Sequence, residues 1–199
     1  MDLLVTWRSP YASPLTQAFA AYRTHRELFL VEVALDQFLY ARALDAARRD
    51  GEDGRILRGF LKTQIDLANA GTLLKRAGGG RCDDLFIAGG RHFTLKRFQQ
   101  LVLLQERDLR QALARGGRLR LDPRLAEMDE RADPFDVDQI LREALREAMQ
   151  REARIHPLSL AVPLSFVLER RAEVQRIRLV LRGAEFGLPA EELVALVER

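Results

Sequence analysis

The feature that most constrains this chain is a periodic stripe lying between two prolines, in the stretch Pro157–Pro189, PLSLAVPLSFVLERRAEVQRIRLVLRGAEFGLP. From Val167 onward, Val167, Val174, Ile177, Leu181 and Ala184 fall on one side of a spiral of about 3.6 residues per turn. Glu169, Glu173, Arg176 and Arg182 lie off that stripe. The segment therefore reads as a long amphipathic helix around which the rest of the chain is organised. Pro163 lacks a backbone donor and has a fixed φ, so the helix either starts there, with proline in its first turn, or bends there. Gly183, Gly187 and Pro189 mark its end.

The same design occurs earlier, from Gly54 to Gly80, where Ile56, Phe60, Leu67, Ala70, Leu74 and Ala77 form the stripe and Gly78, Gly79 and Gly80 stop it. Leu73-Leu74-Lys75-Arg76-Ala77 matches Leu179-Val180-Leu181-Arg182-Gly183 at an offset of 106 residues. A preceding helix in each case carries an apolar-Asp-Gln step, Leu35-Asp36-Gln37 and Val137-Asp138-Gln139, at an offset of 102. Two offsets so close in size point to an internal duplication of about 100 residues, the kind of period a helical-repeat protein carries. The chain then divides into an N-terminal extension, residues 1–12, helical repeat A, residues 13–115, and helical repeat B, residues 116–199.

Between these landmarks the signals are helical throughout. Ser13 as N-cap with Pro14 in the first position predicts a helix to about Arg23. A longer one, Glu27 to Arg49, carries Leu28, Val31, Leu35, Phe38 and Leu39 and forms a hairpin with the helix that follows. Residues 77–93 read as a structured loop with Leu85-Phe86-Ile87 as its apolar plug. Thr94 caps the next helix, which breaks near Glu106 and resumes through Leu113; Gly116-Gly117 ends it. After the charged, proline-punctuated residues 118–134, a continuous stripe from Phe135 to Met149 predicts a helix that His156-Pro157 terminates. Glu191 and Glu192 open a final short helix at its dipole-favoured end. No alternating strand pattern appears, so the fold class is all-α, built of pseudo-repeated helical hairpins.

The chemistry that such a chain can carry is narrow. His25, His92 and His156 are scattered without an HExxH pattern, and the lone Cys82 builds neither a disulfide nor a thiolate metal site. A single cysteine also fits a reducing compartment. The glycines at 78–80 lack the Gly-Lys-Ser/Thr of a phosphate loop and follow a helix where that loop needs a strand. Asp36, Asp66 and Glu169 lie within helices beside basic residues, where ion pairs or buried hydrogen bonds are their expected use. No signal peptide is visible, and the uncharged run Pro157–Leu168 is far short of the roughly 20 residues of a spanning helix. With a net charge of +3 and arginine-rich basic residues spread around their helices, nucleic-acid binding is disfavoured.

At the two hairpins the sequence resembles the C subunit of the archaeal and bacterial V/A-type rotary ATPases, the counterpart of the d subunit of vacuolar ATPases. The resemblance rests on Val33-Ala34-Leu35-Asp36 to Phe38, and on Ile65-Asp66-Leu67-Ala68-Asn69 with Leu73-Leu74-Lys75-Arg76. It continues through Gly89-Gly90-Arg91 to Phe93, Val167-Leu168-Glu169-Arg170, and Ile177-Arg178-Leu179-Val180-Leu181 to Phe186-Gly187-Leu188-Pro189. It implies a non-catalytic, funnel-shaped central-stalk socket that sits on the membrane rotor ring and receives the central shaft during proton or sodium transport, cytoplasmic and peripheral to the membrane. The hairpins would form part of the funnel-like wall, matching the last two of the family's three units. The chain would then be a shortened relative, a fragment, or a member of a rotary-type complex with altered partners.

A helical-repeat adaptor that keeps this fold without a rotary ATPase role is the alternative. Arg76 and Arg182, at equivalent places near helix C-termini, are partner-contact candidates, although a cation there also offsets the helix dipole. Arg91 and Phe166 complete the candidate set; Phe166 lies with Leu160 and Leu164 on a flank that a missing unit would leave uncovered and open to self-association. No catalytic residue, cofactor site or metal site is expected. Isothermal titration calorimetry of the chain with Mg-ATP should accordingly show no stoichiometric heat; tight one-to-one binding would refute this reading.

Overall fold

In the computed structural model, which describes residues 10–26, 28–48, 51–75, 85–115 and 134–198, the regular elements are helices. In chain order these are α1 (Ala12–His25), α2 (Leu28–Ala46), α3 (Glu52–Lys75), α4 (Leu95–Val102), α5 (Glu106–Ala114), α6 (Pro134–Ile155), α7 (Ala161–Glu185) and α8 (Ala190–Glu198). Among the described residues no strand forms, as the all-α reading requires. The chain divides into two compact units, Met1–Leu145 and Arg146–Arg199. The division falls within α6.

In the first unit the organising helix is α3 rather than the later amphipathic segment. Its expected stripe is buried at Ile56, Leu67, Ala70 and Leu74, but Leu61, Ile65 and Leu73 on other sides are buried too. Several elements pack around α3: it touches α2, α4 and α5, and a Cβ at Gly71 would lie 3.1 Å from Leu141 Cδ1 of α6. The core joins Leu67, Ala70, Leu73 and Leu74 of α3 to Phe98 and Leu101 of α4, Leu109 and Leu113 of α5, and Val137, Ile140 and Leu141 of α6. Each large side chain among them contributes about 1.5–3 kcal/mol of transfer free energy when fully buried. Lys75 and Asp138, which belong to two motifs singled out separately in the sequence, meet in an ion pair of 2.7 Å.

Several boundaries move from their expected places. α1 starts after Tyr11, not Ser13, and its first intrahelical bond runs from the Leu15 N–H to the Tyr11 carbonyl at 3.0 Å. Pro14 is tolerated there because first-turn N–H groups have no helical acceptor to lose. α1 continues to His25, and Arg26, at φ 59°, closes it by donating to the Tyr22 carbonyl. α2 ends at Ala46, and Arg58 Nη1 of α3 donates to the Ala47 carbonyl at 2.8 Å. Leu28 and Leu39, placed on the α2 stripe, are exposed, whereas Val31 and Val33 are buried. Thr94 caps α4 as expected, its Oγ1 accepting from the Arg97 N–H at 3.3 Å, and the break before Glu106 covers residues 103–105.

The second unit is the C-terminal part of α6 with α7 and α8. After α6 stops at Ile155, Ser159 Oγ donates to the His156 carbonyl at 2.7 Å and accepts from the Ala161 N–H at 3.2 Å. α7 follows, with Pro163 in its first turn, the first of the two alternatives read for that proline. Its end is a Schellman turn: the Gly187 N–H reaches the Ala184 carbonyl at 3.0 Å, and the Leu188 N–H the Gly183 carbonyl at 2.9 Å. Gly187 supplies the required positive φ of 74°. The chain then reverses into α8, and Leu193 covers the bare backbone at Gly183, where a Cβ would come within 2.2 Å of Leu193 Cδ2.

The seat of Leu193 on Gly183 gives a test of how the second unit is held. Gly183→Leu should expel Leu193 and undock α8 while leaving α7 helical, a cost of about 1–3 kcal/mol. Hydrogen exchange should show protection lost in residues 190–198 only; unchanged protection there would contradict this packing.

Candidate functional site

Residues 85–93 are laid across α3 by polar side chains of α2 and α3. Asn69, fully buried, donates from Nδ2 to the Ile87 carbonyl at 2.8 Å and accepts the Ile87 N–H on Oδ1 at 2.9 Å. From α2, Gln37 Nε2 donates to the Phe86 carbonyl at 3.0 Å. One turn before Asn69, the Asp66 carboxylate is fully buried and accepts three successive N–H groups: Arg91 at 2.9 Å on Oδ2, His92 at 3.1 and 3.2 Å on the two oxygens, and Phe93 at 3.2 Å on Oδ1. An ionised carboxylate is stable away from solvent only when its lone pairs are matched in this way. Glycine at 90 is what lets the backbone approach, since a Cβ there would lie 2.2 Å from Asp66 Oδ1.

This clamp fixes what the loop presents. Leu85 and Ile87 are buried, and the Phe86 ring packs at 5.4 Å from that of Phe98, so the apolar plug read from the sequence is real. The Arg91 side chain is carried outward across the Gly59 backbone of α3, where its Nη2 would lie 3.1 Å from a Cβ. Arg97 ties the start of α4 to the same loop by donating to the His92 carbonyl at 3.2 Å and lying over the Phe93 ring.

In the second unit, α7 turns a polar and small-residue face to its neighbours. Glu169 pairs with Arg146 at 3.2 Å and accepts from Gln150, and of α7 only Ala161 and Gly183 are buried. The stripe that defined the helix in the sequence points away: Val167, Val174, Ile177 and Leu181 are 60, 45, 52 and 64% exposed. Phe166 is 59% exposed, with the Arg170 guanidinium 5.2 Å from its ring centroid.

Of the four candidate contact residues, Arg91 is exposed in the first unit, and Phe166 and Arg182 are exposed in the second. Phe166 and Arg182 stand at opposite ends of α7, roughly 24 Å apart along its axis. Arg76 lies outside the described residues. Asp66 and Glu169 are used as buried hydrogen-bond acceptor and ion-pair partner, as read from the sequence; partial burial, and after it the Glu32 carboxylate, raise the pKa of Asp36. Sequence reasoning misses the roles of Asn69 and Gln37, although an asparagine inside an apolar helical stripe, where it is a poor helix former, is a signal. Among the described residues no group of His, Cys, Asp and Glu could hold a metal ion, and no helix is long and apolar enough to cross a membrane.

A family model for the "ATP synthase (C/AC39) subunit" matches residues 2–196. The chain belongs to this family. It is 31% identical over 186 residues to the C subunit of the A-type ATP synthase of Halorubrum lacusprofundi, covering 92% of this chain and 53% of that one. It is 29% identical over 209 residues to the corresponding A-type chain of Thermococcus onnurineus, covering 98% and 53%. To the C subunit of the V-type ATP synthase of Thermus thermophilus it is 31% identical over 199 residues, covering 90% and 53%. The chain spans about half the length of the curated relatives it matches.

In this C/AC39 chain the clamp on α3 sets the stability of the loop that carries Arg91. Asn69→Ala orphans the N–H and the carbonyl of Ile87, each at about 1–3 kcal/mol. Gly90→Ala forces the loop off Asp66. Urea unfolding should show both variants losing several kcal/mol, with hydrogen exchange localising the early opening to residues 85–93. A stability equal to wild type for Asn69→Ala would mean that the pairing is not formed in solution.

Proposed function

We propose that this chain is a non-catalytic central-stalk socket subunit of a V/A-type rotary ATPase, linking the rotor shaft to the membrane rotor ring during proton or sodium transport. The observation that carries the reading is the family match over residues 2–196, in a chain whose described elements are helices. The fold supports it physically: helix surfaces and a loop clamped onto α3 offer defined contact surfaces, on which shape and charge rather than bond-making would do the work. In this proposal the chain is cytoplasmic and peripheral to the membrane, and its partners are the shaft subunits and the rotor ring. The internal duplication, with repeats at 13–115 and 116–199, belongs to the same proposal, as do the contact roles of Arg76, Arg91, Phe166 and Arg182.

The test is reconstitution with the membrane ring and the central shaft subunits of the same organism's complex. The chain should co-purify with the detergent-solubilised ring and should bridge it to the shaft. Arg91→Glu keeps the backbone N–H that Asp66 needs, so it should weaken binding about tenfold, the equivalent of about 1.4 kcal/mol, without lowering stability. Failure of the wild-type chain to bind either the ring or the shaft would leave the helical-repeat adaptor as the reading.

A further inference from the structure

We infer that α5 is a clasp poised to open: the helix Glu106–Ala114 detaches from α3 and unwinds while the rest of the first unit stays folded. Arg110 carries this reading. It is buried, beside Leu109 and one turn before Leu113, the two leucines that fix α5 in the core. Its Nη2 donates to the Glu106 carboxylate of the same helix, four residues earlier. Nε and Nη1 are also buried, and among the described residues they have no acceptor. Most of the donors of this guanidinium are therefore unspent when α5 is docked. A buried donor without an acceptor costs the desolvation of that group, more so when it is charged. An ion pair taken out of water is often worth less than apolar side chains of the same volume. Arg110 and Glu106 thus gain by reaching water, while Leu109 and Leu113 gain by staying.

The start of α5 adds nothing to that hold. Gln105 stands at the N-cap with φ −65° and ψ 154°, the extended geometry of a capping residue, yet its side chain makes no cap bond. Thr94, at the same place on α4, does. With nine residues α5 is too short to be stable as an isolated helix, so its order depends on docking. The break at residues 103–105 separates it from α4, and the helix can leave without drawing α4 with it. The clamp is made by α2, α3 and residues 86–93, so none of its hydrogen bonds is lost when α5 opens. Opening bares the part of α3 that α5 covers and leaves the loop that carries Arg91 in place. All of these residues belong to the first unit, and the opening is a property of the chain whichever assembly it joins.

Native-state hydrogen exchange of the full chain at low urea concentrations is the test. Hydrogen-bonded amides of α5 should exchange about a hundredfold or more faster than those at the centre of α3. Their rates should depend little on urea, because a local opening exposes little surface. Glu106→Gln combined with Arg110→Met removes the charged pair and keeps its bulk, and should slow exchange in α5 about tenfold or more. Gln105→Ser supplies the missing cap and should slow the same amides about fivefold, a change that leaves the core untouched. Exchange in α5 that tracks α3, with the same steep dependence on urea, would overturn the inference by placing both helices in one cooperative unit. Faster exchange in the Glu106→Gln, Arg110→Met variant would also overturn it, since the pair would then be what holds α5 down.

Discussion

The first unit depends on one buried carboxylate. Asp66 stands fully buried in the middle of α3, and its two carboxylate oxygens accept three consecutive backbone N–H groups from residues 91–93. Those donors would otherwise need acceptors of their own, so the arrangement satisfies both partners at once. Asn69, one turn on, repeats the device with a neutral amide that pairs the backbone of Ile87 in both directions. Between them the two side chains turn an irregular segment into a fixed part of the core, and α4 starts from a fixed point as a result. Phe98 and Leu101 then reach the α3 surface because their helix is aimed there.

The second unit is built on the opposite principle. α7 is held through an ion pair, a side-chain amide and close backbone packing at Gly183, with little apolar area buried. Its neighbours could be exchanged for water at small cost, which a core helix such as α3 could not survive. A helix with this distribution is a natural contact element: its fold does not use the apolar surface, so that surface remains available to a partner.

Much of this is legible in the residues. The helical stripes, the glycine and proline stops, the Thr94 cap and the plug at 85–87 all express short-range rules in which the deciding atoms lie within a few residues of one another. What fails does so for non-local reasons. A 3.6-residue period shows that α7 has an apolar side but not whether its own chain covers it, so the stripe reads as the centre of the fold when α3 fills that place. That Asp66 makes ion pairs or buried hydrogen bonds is legible from its place in the helix; which groups it pairs with is not, because its donors are 25–27 residues away. Gly89 and Gly90 are legible as loop residues; that Gly90 must yield space to a carboxylate oxygen is not. Ser13 carries a capping signal that Tyr11 pre-empts, since the backbone begins its turn earlier at no steric cost. Of the contact candidates, Arg91, Phe166 and Arg182 are exposed, and their use in contacts is part of the proposal.

The clamp on α3 also separates backbone from side chain. Asp66 and Asn69 hold residues 87 and 91–93 through their main-chain N–H and carbonyl groups. Every residue but proline carries those same groups, so the clamp constrains the path of the chain and leaves a side chain such as that of Arg91 open to change. A methyl group at position 90 is not tolerated in the same way, because it would meet Asp66 Oδ1. Evolution can alter what the loop presents here without renegotiating the core beneath.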